Sequence, residues 1–129
     1  MKTLLLTLFG LVMSLSNSAL ADYSPVTPDA VANIIKTSVR VEITNANGVS
    51  CTQNGKAIEA TKSDILSALD YTPNLFKEQD PATGATNLKF VSPDTEKGET
   101  IFVSTKGGRI LNLKIASSET GAEALCTLN

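Results

Sequence analysis

Residues 39–58 read VRVEITNANGVSCTQNGKAI, and the way this stretch divides into elements decides the fold. Val39, Val41 and Ile43 alternate with Arg40, Glu42 and Thr44, a period of two that predicts a strand with one apolar and one polar face. Asn-Gly pairs follow at 47–48 and 54–55, each a strong hairpin signal, with Cys51 between them. A two-residue loop at Asn47-Gly48 would set Cys51 opposite Thr44, on the polar side. A three-residue loop, Ala46-Asn47-Gly48 with Gly48 left-handed, sets it opposite Ile43 and keeps the apolar face whole. A two-residue loop at Asn54-Gly55 then aligns Cys51 with Ile58 and Val49 with Ala60. The expectation is a three-stranded meander in which Ile43, Cys51 and Ile58 form one buried row.

Upstream, TPDAVANIIKTS (27–38) carries helix-start chemistry: Thr27 as N-cap, Pro28 at the first helical position, and Asp29 against the positive end of the dipole. Val31, Ile34 and Ile35 share a face, predicting a helix of about ten residues. Downstream, TKSDILSALDY (61–71) predicts a second helix, with Thr61 and Asp64 spaced as a capping box and Ile65, Leu66 and Leu69 facing a core. TPNLFKEQDPATGAT (72–86) is expected to be a long loop, punctuated by Pro73, Pro81 and Gly84. Strands are expected at NLKFVS, TIFVST, RILNLKI and AEALCTL. Between the middle two, a three-residue loop, Lys106-Gly107-Gly108, with Gly108 left-handed, would put Ile101, Val103, Leu111, Leu113 and Ile115 on one face. The predicted class is α+β: an antiparallel sheet of about six to seven strands with two short helices on one face.

The first residues, MKTLLLTLFGLVMSLSNSALAD, have the form of a bacterial secretory leader. Lys2 precedes an apolar run from Leu4 to Leu15, and Ala19-Leu20-Ala21 supplies a small-x-small cleavage site. A run of that length is too short for a membrane-spanning helix. Cleavage after Ala21 is expected to release residues 22–129 as a single small domain in the periplasm or the medium, with no membrane insertion afterwards. Two cysteines in an oxidising compartment allow one intramolecular disulfide, Cys51 to Cys126. Closing so long a loop stabilises a domain by ~4 kcal/mol through chain entropy.

The formal charge of −2, one unit more negative without Lys2, gives no electrostatic reason to bind nucleic acid. Histidine is absent, which removes the usual serine and cysteine triads and most zinc sites. There is no P-loop and no dinucleotide fingerprint. No catalytic residue, cofactor or metal ligand is identified. A carboxylate pair able to hydrolyse glycosides does not stand out among 13 scattered acids. A non-enzymatic binding module is therefore expected, acting on another protein as inhibitor, adaptor or accessory factor of the envelope. The alternative is an assembly subunit that pairs through a sheet edge; a carboxylate-dependent hydrolase ranks third. Candidate contact residues are Leu75 and Phe76 in the long loop, either an apolar anchor or a plug for the core, and Arg40 and Glu42 on an outward strand face.

Overall fold

A computed structural model describes residues 23–94 and 96–129. The predicted leader, residues 1–21, lies outside the described residues. In chain order the elements are β1 (Ser24–Pro25), α1 (Asp29–Asn45), β2 (Val49–Gln53), β3 (Lys56–Ile58), α2 (Lys62–Asp70), β4 (Asn74–Gln79), β5 (Thr86–Val91), β6 (Glu99–Lys106), β7 (Arg109–Ser117) and β8 (Glu123–Leu128). The strands form one antiparallel sheet in the order β1-β4-β5-β6-β7-β8-β2-β3. Helix α1 packs on β7 and α2 on β6, and the two helices touch each other. The α+β class is as expected; the sheet has 8 strands.

The largest departure lies in VRVEIT, which is helical. Helix α1 spans 17 residues, and no glycine or proline interrupts it. Ala32, Ile35, Val39 and Ile43 recur at helical spacing and face the core, with Val39 and Ile43 buried. The period of two among the β-branched residues is therefore overridden by the period of the buried stripe, and Val41 is left in solvent. Its last carbonyls find a donor in the neighbouring helix: Lys62 Nζ donates to Thr44 O at 3.0 Å and Ala46 O at 2.6 Å. A cation there also opposes the negative helix end. At the other terminus the N-cap is Pro28 rather than Thr27, and it makes no side-chain cap bond. Helix α2 starts on the predicted capping box: Thr61 Oγ1 accepts from Asp64 N at 3.2 Å, and Asp64 Oδ2 accepts from Thr61 N at 2.9 Å. Buried Thr72 closes it, donating its hydroxyl to Ala68 O and Leu69 O.

With no strand before it, Cys51 has no Ile43 partner, and Gly48 does not adopt positive φ. Instead β2 lies between β3 and β8. Asn54 and Gly55, with φ of 54° and 80°, make the expected two-residue turn, and Cys51 pairs with Ile58. On its other side Cys51 directly opposes Cys126, so the disulfide joins adjacent strands.

Two further expectations are corrected. The stretch after Pro73 is not a loop: β4 pairs with β5 over its whole length, from Asn74↔Val91 to Gln79↔Thr86. The β6–β7 loop has two residues, not three. Gly107 and Gly108 both have positive φ, and Lys106 pairs with Arg109. That register would turn Leu113 and Ile115 outwards, but a bulge corrects it. Thr105 pairs with Ile110, Ser104 with Asn112, and the extra residue Leu111 is expelled to solvent. Leu113 then reaches the core beside Ile101, Val103, Phe90 and Leu88, under Ile43, Ile65 and Leu69.

Candidate functional site

The residues singled out in the sequence do not form one site. Leu75 points into the core and is 5% exposed. In the folded domain it is a core residue, with no surface to offer a partner. Phe76, its neighbour on β4, points to the opposite side of the sheet and is half-buried. There it opens a row of directly paired residues, Phe76↔Lys89↔Phe102↔Lys114↔Leu125, running across five strands. Lys89 Nζ lies 5.3 Å from the Phe76 ring and 4.8 Å from that of Tyr23. Lys114 Nζ lies 4.7 Å from the Phe102 ring. The lysine stems shield the aromatic faces on the side of the sheet that no helix covers. Beside this row Glu78 is buried and accepts from Asn87 Nδ2 at 3.0 Å. Burial, and secondarily the Glu78 carboxylate, push the Tyr23 phenol up from its ordinary pKa.

Arg40 and Glu42 belong to α1 rather than to an outward strand, and both are paired. Arg40 Nη1 donates to Asp70 Oδ1 at 2.6 Å and to Leu66 O at 3.3 Å, tying α1 to α2. Glu42 Oε2 accepts from Arg109 Nε at 3.0 Å, tying α1 to the β6–β7 hairpin. Lys36 lies near Arg40, its pKa lowered mainly by burial. Arg40 and Glu42 thus sit on the flanks of α1, turned towards the elements it packs beside, while Asp29 stands exposed in its first turn.

That arrangement leaves the middle of the solvent side of α1 without charge. Val31, Ile34, Ser38, Val41 and Asn45 run along it, with Ala30, Thr37 and Thr44 beside them. Ile34 is 66% exposed and Val41 51%. Between this ridge and the β6–β7 hairpin opens an apolar groove of about 150 Å³, lined by Ile34, Ile35, Ser38, Val39, Leu88 and Ile110 and bounded by Glu42, Thr105 and Gly108. Sequence reasoning missed the ridge because it ended the helix at Ser38, before Val41 and Asn45 could fall into line. Among the described residues no three of His, Cys, Asp and Glu gather to hold a metal, and no helix is long and apolar enough to cross a membrane. No protein family, curated protein or solved structure matches the chain.

Proposed function

We propose that this is an exported, non-enzymatic binding module that works by contact with another protein, using the solvent side of α1. The carrying observation is the uncharged ridge from Val31 to Asn45. A surface helix ordinarily places its charged residues opposite its buried stripe, whereas here the solvent side keeps exposed valine and isoleucine. Leaving such side chains in water forfeits ~25 cal/mol for each Å² that a partner would cover. The Cys51–Cys126 disulfide supports an oxidising location, the periplasm or the medium, after removal of residues 1–21. Assembly by strand addition has less to work with: the sheet edges β1 and β3 have only 2 and 3 residues.

The test is a photo-crosslinking amino acid placed at Ile34, Val41 and, as control, Tyr71 in protein exported by its own cells. Tyr71, the C-cap residue of α2, is 75% exposed and does not belong to the ridge. Discrete adducts from Ile34 and Val41 but not from Tyr71 are expected. Equal labelling at all three positions, or none at any, would refute the assignment of α1 as a contact face.

A further inference from the structure

Two residues compete for one place at the tip of the β6–β7 hairpin. Below the bulge the two strands pair without interruption, from Glu99↔Ser117 to Ser104↔Asn112. One step further in the same register would set Leu111 opposite Thr105, which lies on the helix side of the sheet and lines the groove beside α1. Ile110 holds that place instead and packs against the core, while Leu111 is 53% exposed.

Leucine and isoleucine are isomers, so exchanging one for the other buries nearly the same apolar area. Small effects of opposite sign are left to separate the two registers. The bulged register keeps the Gly107-Gly108 turn, both residues at positive φ, and the bond from Arg109 Nε to Glu42 Oε2 on α1. The regular register removes the bulge and restores the ladder pairing that a bulge leaves unmade, but it carries Arg109 out of the strand into a longer loop. The change is local. Every pair from Glu99↔Ser117 to Ser104↔Asn112 already has the regular register, so only the residues from Thr105 to Leu111 have to move. No buried charge moves with them, because Arg109 is exposed.

We propose that the tip of the hairpin slides by one residue between these registers, exchanging Ile110 for Leu111, and that the slide gates the groove between α1 and the hairpin. Thr105, Gly108 and Ile110 form the hairpin side of that groove, and Glu42 bounds it on α1. In the bulged register the Arg109–Glu42 pair latches the tip to the helix. In the slid register Arg109 leaves Glu42, and this end of the groove is released. The bulged register is the major state, and the slid one is a minor state of ~0.1–10%. The slide does not depend on α1 being a contact face.

Cysteine pairs introduced into the folded protein, with Cys51–Cys126 intact, report the register. Thr105→Cys with Leu111→Cys sets two thiols face to face only in the slid register; Thr105→Cys with Asn112→Cys does so in neither and serves as control. In oxidised glutathione the first pair is expected to close and the control to stay reduced, read by mass after alkylation. Adding Glu42→Gln should speed closure about two- to fivefold, by removing an exposed ion pair that holds the bulged register. In the unsubstituted protein, methyl relaxation dispersion should show Ile110 and Leu111 exchanging at one common rate, on a timescale of microseconds to milliseconds, with Ile115 unaffected. A first pair that closes no faster than the control, a closure rate indifferent to Glu42→Gln, or flat dispersion at Leu111 overturns the proposal.

Discussion

Leu75→Ala and Phe76→Ala change adjacent residues of one strand, and the fold demands opposite outcomes. Leu75 is almost completely enclosed, paired with fully buried Phe90 on β5. Truncating such a leucine removes transfer free energy and leaves a cavity, a cost of ~2–5 kcal/mol. In a domain of this size one kcal/mol moves Tm by about 4 °C, so the fall should be about 8–20 °C. Phe76 lies half-buried on the uncovered side of the sheet, and its specific interaction is with Lys89. Losing an exposed cation–π contact costs about 0.5–1 kcal/mol, and partial loss of apolar cover adds a similar amount. The corresponding fall is about 4–8 °C. Thermal melts followed by far-ultraviolet circular dichroism measure both. A larger effect at Phe76 than at Leu75 would mean that β4 presents its other face to the core, which a slip of one residue against β5 would produce. Equal, small effects would mean that the segment is the loop its prolines suggest.

Other outcomes follow from particular contacts. The folded protein should contain no free thiol by Ellman titration under denaturing conditions, and Cys51→Ser should lower its stability by ~2–5 kcal/mol in urea melts. Gly108→Ala, at φ +79°, should cost about 1 kcal/mol, whereas Gly48→Ala should be neutral: its φ is ordinary, and an added Cβ meets only Asn129 Nδ2 at 3.8 Å. A large loss at Gly48 would contradict the end of α1 described above. Asp80 has its pKa lowered, first by the Ala82 N–H it accepts and then by the Thr83 hydroxyl. Because the folded value lies below the unfolded one, its contribution is present above the usual carboxylate range and is lost as pH falls through the depressed value. Melts from about pH 6 to about pH 2 should therefore fall less steeply for Asp80→Asn than for the parent; parallel curves would rule that contribution out.

What could be read in the chain was local. The Asn54-Gly55 turn sets the Cys51↔Ile58 register because both residues favour positive φ, and no distant contact is needed. The capping box of α2 is likewise written within four residues. VRVEIT was not legible because two patterns share it. Alternation in steps of two includes Val39, Val41 and Ile43, while the helical stripe includes Ile35, Val39 and Ile43. Only the presence of α2 and β7 beside α1 selects the second. Strand β4 was hidden by the prolines at 73 and 81, which bracket it rather than break it, and by Glu78, a charge buried beside Asn87. The bulge at Leu111 reconciles a glycine turn with the apolar alternation after it, and nothing in either pattern announces it. The ridge on α1 depended on knowing that the helix continues to Asn45.

The position of β8 governs the order in which this chain is able to fold. It is the last of the described strands in chain order, yet it sits between β7 and β2. A chain emerging from its N-terminus produces the β2–β3 hairpin early, and that hairpin has no strand to join until Glu123–Leu128 arrives. A two-stranded hairpin alone is marginal in water. Until then Cys51 lacks its partner, and two inward-facing strand margins, those of β2 and β7, stand open as templates for foreign pairing. The completed sheet hides both and ends in edges of 2 and 3 residues. The six residues of β8 thus act as a keystone. A nascent or truncated chain without them is a candidate for proteolysis and aggregation, however complete the rest of its sequence.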